Sequence, residues 1–409
     1  MCRDFSFKIK ASEWQNTLIL IFANAEEITL KPSIMRSVFF GLSLLLMCSC
    51  KNSETKTETS MTTAEELQNE IPFYIGTYTD GDSEGIYKLS LLEDGSFTKP
   101  ALAAKVSNPS FIAFNDAKNI LLSVTEREQG KIGTFKVAND TLTLINERSS
   151  GGANPCFVTI NEANYVLVAN YTGGNVGLLK LNEEDGSLSE LLDVEQHEGK
   201  GTTDRQEGPH AHSAWFLPDG SGIVSADLGT NQLWFSKINT ETNKLEPAET
   251  QKLALPEGAG PRHLVFHPSN GFIYVLNELD NTVAQIGTEG ESYSVSGITS
   301  ILPEGFSDYS KAADIHISKD GKFIYASNRG HDSIAILEVA EDGSLSLIAN
   351  EPTKGKDPRN FQLTPDEEFI IVANQNSNNL VSYKRDSETG LMTYVSEITA
   401  PTPVCILFE

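Results

Sequence analysis

Pro261-Arg262-His263-Leu264-Val265-Phe266-His267-Pro268-Ser269-Asn270-Gly271-Phe272-Ile273-Tyr274-Val275-Leu276-Asn277-Glu278 carries the pattern on which most of the chain is built. A short β-prone segment, Pro261 to Phe266, runs into a polar turn containing Gly271. A second apolar segment, Phe272 to Leu276, returns. Pro109, Pro155, Ala211, Ala312 and Pro358 open equivalent segments, each followed by a second one such as Tyr165 to Ala169 or Phe323 to Ser327. A third segment, for example Ser333 to Val339, and a loop such as Glu341-Asp342-Gly343-Ser344-Leu345 lead into a fourth. Three or four short strands per unit, repeated, are the sequence pattern of a β-propeller.

With the first residue of each unit taken as an anchor, the spacings are 46, 56, 50, 51 and 46. Pro403, 45 residues further on, is a seventh anchor, and its strand Pro403 to Phe408 all but ends the chain without partners after it. The missing partners stand at the other end, in Phe73 to Thr77, Gly85 to Leu89 and Gly95 to Phe97. The expected fold is therefore all-β: a seven-bladed propeller over residues 71–409, closed by the C-terminal strand pairing with the N-terminal strands. Closure of this kind leaves no exposed sheet edge.

Strand direction converts the repeat into geometry. Each inner strand leaves one face near its anchor and the second strand returns to that face, so anchor+1, +16 and +17 share one channel mouth. Anchor+1 reads Ser110, Cys156, His212, Arg262, Ala313 and Arg359. Anchor+17 reads Glu126, Leu228, Glu278, Arg329 and Gln375, and the Pro155 unit, one residue short, offers Asn170 and Tyr171. Of the seven histidines, His210, His212 and His263 fall at this face. His212 is a candidate catalytic group, Arg262 and Arg329 are candidate ligand-binding groups, and Glu278 acts on substrate or orients an arginine. His210, His263, Glu126 and Arg359 are expected to bind substrate around them. Neither His212 nor Glu278 is expected in a core position. Cys156 is read as packing. Position +16 reads Thr125, Asp227, Asn277, Asn328 and Asn374, short polar side chains suited to capping backbone N–H groups. Turned inward together, Asp227, Asn277 and Asn328 would instead form a calcium site.

The formal charge is -25, with 31 Lys and Arg against 56 Asp and Glu, and no basic stretch, so a nucleic-acid ligand is not expected. A small anion remains compatible where a few arginines converge. No metal-ligand spacing, nucleophile elbow or phosphate loop occurs, and no metal or cofactor is expected. Met35-Arg36 begins a charged start, an apolar run from Val38 to Met47 and then Cys48-Ser49-Cys50. Residues 35–50 read as a bacterial lipoprotein-like signal peptide with Cys50 as the lipidation site, and residues 51–70, rich in Thr, Ser and Glu, as a flexible linker. This predicts a cell-envelope protein attached to membrane only through that lipid, and a cytoplasmic one if the signal is not used. Residues 1–34 carry no repeat and are read as an extension that an upstream start codon would explain.

Gly208-Pro209-His210-Ala211-His212-Ser213, Gly260-Pro261-Arg262-His263, Tyr274 to Glu278 and Ser327-Asn328-Arg329 resemble the seven-bladed β-propeller lactonase family, which includes bacterial 6-phosphogluconolactonases and carboxy-muconate cyclases. The resemblance extends over residues 71–409. It implies a hydrolase that opens a small anionic lactone, with His212, Arg262, Glu278 and Arg329 as the active residues. By the same resemblance the substrate is 6-phospho-D-glucono-1,5-lactone, yielding 6-phosphogluconate for the pentose phosphate pathway. Lactone opening needs a base for water and stabilisation of an oxyanion. The sequence leaves open whether His212 or Glu278 is that base. The other class considered is a non-catalytic binding propeller on the cell envelope, in which aromatic and apolar anchors would be expected instead.

Overall fold

The computed structural model describes residues 70–409, with Asn139 and Glu291 excepted. The signal, Cys50 and the linker lie outside the described residues. Twenty-eight strands form seven four-stranded antiparallel sheets among the described residues, which is the seven-bladed β-propeller expected. Blade 1 is made of Pro403–Phe408, Ile71–Thr77, Gly85–Leu91 and Ala101–Lys105 in that order, so the last strand of the chain is its innermost. Its register pairs Phe73 with Phe408 and Ile75 with Ile406, and the Phe73 and Phe408 rings pack at 5.4 Å. Blades 2 to 7 follow in chain order, from Ile112–Phe114 to Met392–Thr399.

The core is distributed over the seams between blades. Val224 and Phe235 of blade 4 pack on Leu264 and Val275 of blade 5, for example, and Phe361 of blade 7 packs on Tyr325 and Ile336 of blade 6. Because each middle strand is covered on both faces, it reads as a continuous apolar run such as Tyr165 to Ala169. Outer turns lock neighbouring blades. Asp342 accepts hydrogen bonds from Ser344 N (3.0 Å) and Ser344 Oγ (2.7 Å), bending the chain at Gly343, where φ is +80°. A Cβ at Gly343 would collide with the Phe272 ring of the preceding blade, so glycine is required there on two counts.

The position after each anchor has a specific backbone origin. Pro155 pairs with Asn170 but Phe157 with Ala169; Ala211 pairs with Asp227 but Ser213 with Ala226. Pro261 and Pro358 repeat the shift. Cys156, His212, Arg262 and Arg359 are thus the extra residues of β-bulges, which re-aim a side chain out of the sheet alternation.

Candidate active site

Glu278 follows the second strand of blade 5, Ile273–Asn277, and is 3 % exposed. Its Oε2 lies 3.0 Å from Arg262 Nε and 3.0 Å from Arg329 Nη2, and its Oε1 lies 3.4 Å from Arg205 Nη2. Arg262 Nη1 also donates to the Ala313 carbonyl, and Arg329 Nη2 donates to the Ala312 carbonyl at 2.7 Å. Burial alone would raise the Glu278 pKa, but Arg329, Arg262, Arg205 and Arg359 together hold it down to about 2. The group is an anion that organises guanidinium groups and is a weak base. Burial, then Arg329 and Arg359, lower Arg262 to about 10, still fully charged near neutrality.

His212 lies beside this cluster. Its ring meets His263 edge-on at 5.3 Å and Tyr171 at 5.5 Å, and its Nδ1 is 3.7 Å from Cys156 Sγ. Burial, with Arg262, His263 and Arg359 nearby, pushes its pKa well below the usual histidine value, so the imidazole is neutral at pH 7. Its Nε2 has no protein hydrogen-bond partner among the described residues. His263 is held one layer deeper: Nδ1 is 2.8 Å from Asp314 Oδ1, while Nε2 is 3.2 Å from Arg262 Nη1. A neutral ring that donates to Asp314 and accepts from Arg262 satisfies both contacts. Burial, with Arg262, lowers the His263 pKa to about 4. Asp314 also takes His316 and Asn360, so His263 props Arg262 from a saturated buried network.

His210 stacks on Tyr171 at 4.5 Å, and its Nδ1 is 3.1 Å from the Tyr171 carbonyl. Its backbone N–H donates to Asp227 Oδ1 at 2.9 Å. Asp227 is closed on its other oxygen by buried His197 at 2.7 Å, so it anchors the loop that carries His210 and His212. From blade 7, Arg359 Nη2 donates to the Tyr78 hydroxyl at 2.9 Å, and that hydroxyl donates to Glu126 Oε2 at 2.9 Å. Ser110 Oγ donates to the same carboxylate oxygen. Ser110, Glu126, Cys156, Arg262, His263 and Arg359 line one small cavity of about 10 Å³, the size of a single water. A ligand larger than a water molecule has no room inside it. A roomier groove of about 600 Å³ runs between Phe235, Phe266 and Tyr293 at the opposite ends of the strands. It holds none of the anchor+1 or +17 side chains.

Two expectations need correction. His212 and Glu278 are 4 % and 3 % exposed, so both are buried, because the bulges and the narrow channel enclose them. Position +16 does not gather at the mouth: Asn328 Nδ2 donates to the Ile301 carbonyl and Asn374 Nδ2 to the Thr353 carbonyl, both at 3.0 Å, stapling each blade's lead-in segment. Asn277 bonds Thr282 within its own turn. Cys156 touches His212, but burial, with Glu126 nearby, raises its thiol pKa, so it is packing and not a thiolate. Tyr78 and Arg205 are the residues that sequence reasoning missed. Tyr78 follows Thr77, which pairs with anchor Pro403, and so occupies +17 of blade 1. Carrying the count across the ring closure finds it. Arg205 lies in the insertion that makes the Pro155-to-Ala211 spacing the longest, at 56.

The fold and this mouth define a propeller of lactonase type, and comparison with known proteins agrees. The family described as "Lactonase, 7-bladed beta-propeller" matches residues 72–408. The chain belongs to this family. It is 38 % identical over 345 residues to a 6-phosphogluconolactonase of Bacillus subtilis (strain 168), covering 82 % of this chain and 97 % of that one. It is 33 % identical over 336 residues to a 6-phosphogluconolactonase of Formosa agariphila, covering 78 % and 93 %. The solved structure of a periplasmic gluconolactonase from Pseudomonas aeruginosa is similar at a TM-score of 0.79 and 29 % identity, covering 83 % of this chain and 99 % of that one.

Proposed function

We propose that this chain hydrolyses a sugar 1,5-lactone, with 6-phospho-D-glucono-1,5-lactone as substrate and 6-phosphogluconate as product. The observation that carries the reading is a neutral imidazole with a free Nε2, beside two arginines bound to one carboxylate. His212 takes a proton from water, and the resulting hydroxide adds to the lactone carbonyl carbon. Arg262 and Arg329 stabilise the oxyanion. The C–O bond to the ring oxygen then breaks, and the leaving alkoxide takes the proton back from His212. Of the two candidate bases, Glu278 is the poorer, since protonating it would strip three guanidinium groups of their counter-charge. The carboxylate is already occupied by arginines, and the surrounding positive charge disfavours a metal cation, so the reaction is proposed to need none. Proton release from a panel of lactones, with and without chelator, tests this. Turnover that survives chelation is expected. A protein that opens no lactone would be a binding propeller.

We propose further that the Cys50 signal is used and directs the protein to the cell envelope, a reading supported by similarity to a periplasmic gluconolactonase of Pseudomonas aeruginosa. In the envelope the substrate would be an unphosphorylated sugar lactone, and 6-phospho-D-glucono-1,5-lactone is the substrate where the signal is not used. Fractionation of the wild-type protein and of Cys50→Ala distinguishes an envelope enzyme from a cytoplasmic 6-phosphogluconolactonase.

A further inference from the structure

The arginines of this protein come paired. Arg127, Arg148 and Arg385 each reach a carboxylate, and Arg205, Arg262 and Arg329 share Glu278. Arg359 is the exception. Among the described residues it is the one arginine with no carboxylate within 4.0 Å, although the chain carries a formal charge of -25. It is partly buried, it sits on a bulge that aims it into the channel, and it lines the same cavity as Arg262. Its single hydrogen bond to protein, from Nη2 to Tyr78, together with the Tyr78 ring 5.3 Å from its Cζ, fixes the plane of the fork. Tyr78 is itself tied to Glu126, so the hydroxyl accepts from Arg359 and cannot turn away. The remaining side-chain N–H groups of Arg359 have no protein acceptor among the described residues.

We infer that Arg359, oriented by Tyr78, is a subsite for an acidic group of the substrate, a carboxylate or a phosphate, next to the Glu278 cluster at the same mouth and on its blade 7 side. A guanidinium that Glu126 and Glu278 reach only at a distance, with no carboxylate in direct contact, still has N–H groups to offer a bidentate oxyanion ligand, unlike one already held in an ion pair. This fixes how a ligand lies. The carbonyl being attacked is at Arg262 and His212, and the acidic group points toward blades 7 and 1. Arg262 and Arg329 are then free to answer the charge that develops during the reaction rather than one present throughout. Only the first kind of interaction speeds the chemical step. Arg359 is thereby a specificity-determining residue and Tyr78 its positioning residue. The inference rests on the lactonase reading of the same mouth.

The test compares kcat/KM for three lactones: neutral glucono-1,5-lactone, carboxylate-bearing glucaro-1,4-lactone and 6-phosphoglucono-1,5-lactone. Arg359→Gln is expected to lower the ratio of acidic to neutral lactone by about 100-fold, which is the loss of one charge-assisted fork. Arg359→Lys should restore part of that ratio, and Tyr78→Phe should lower it by about 5-fold while the protein still unfolds cooperatively. Whichever acidic lactone shows the larger change identifies carboxylate or phosphate as the group held. Arg127→Gln removes an exposed charge paired with Asp80 and should leave the ratio unchanged. An equal loss on neutral and acidic lactones in Arg359→Gln overturns the inference. Calorimetric binding of 6-phosphogluconate separates this from failure of the lactonase reading. If the wild type opens no lactone yet binds that acid and Arg359→Gln does not, the subsite stands and the reaction falls. Equal binding by both proteins, or by neither, overturns the subsite.

Discussion

Arg262 and Glu278 face each other at 3.0 Å across the two inner strands of one blade, a pair closed off from bulk water, with Arg329 joining from the next blade at the same distance. Charges so placed are interdependent. Glu278→Gln leaves three guanidinium groups without their shared anion, and removing one partner of a buried pair costs about 3–5 kcal/mol. A large drop in thermal midpoint is expected along with loss of turnover. Arg262→Lys keeps the charge but loses the second donor that reaches the Ala313 carbonyl, so turnover should fall by about 10-fold or more with a smaller loss of stability. Calorimetry and lactone turnover on the two variants check this ordering.

His212 is expected to work as a neutral base. His212→Asn should reduce kcat by about 10²–10⁴-fold, the usual contribution of general base catalysis. Burial and the positive charges of Arg262 and Arg359 hold its pKa well below 6.5, so the acidic limb of the kcat/KM profile should also fall well below pH 6.5. A limb at 6.5 or above would show that His212 is not the titrating base.

Stability should fall with acid in two stages. His263 titrates near 4 in the folded protein against 6.5 when exposed, so between those values the unfolded chain binds more protons and stability declines as pH drops. Glu278 behaves alike between 4.5 and about 2, its favourable pairing being lost as pH falls through that window. Thermal midpoints measured from pH 7.5 to 4 should decline below 6.5, and His263→Gln should flatten the upper part of the curve. A wild-type midpoint that is constant over this range would contradict the burial of a neutral His263.

Removal of Pro403 to Glu409 takes away the inner strand of blade 1, and with it the Ile406 and Phe408 side chains from the seam with blade 7 and Cys405 from the seam with blade 2. The expected product is insoluble or unfolds without a cooperative transition. A truncated protein with an unchanged melting midpoint would be incompatible with closure at this strand.

The fold was legible because each blade repeats one strand–turn–strand plan, and because a lone strand at Pro403 matched the strands left over at Phe73 to Phe97. The side chains at +1 and +17 were legible for the same reason, since a fixed count along a repeat is a fixed height in the ring. What the count could not carry was depth. The bulges at His212 and Arg262 appear only in the pairing of Ala211 and Pro261 with their neighbouring strands, and they bury residues that looked peripheral. Arg205 was hidden for a different reason: its loop has no counterpart in the other blades, so no register pointed to it.

The contact between Tyr78 and Arg359 joins residues 281 positions apart, across the seam between blades 1 and 7, and blade 1 is shut by Pro403–Phe408 pairing with the distant Ile71–Thr77. Pairings so distant in sequence form late and slowly. Blades built from neighbouring strands can form locally, but the mouth that unites Tyr78, Glu126 and Arg359 requires the two ends of the propeller to meet. The mouth is therefore expected to form in one step with ring closure rather than blade by blade. The closing strand thus couples the mouth to the integrity of the whole ring, and a propeller that loses it is expected to keep no partly assembled site.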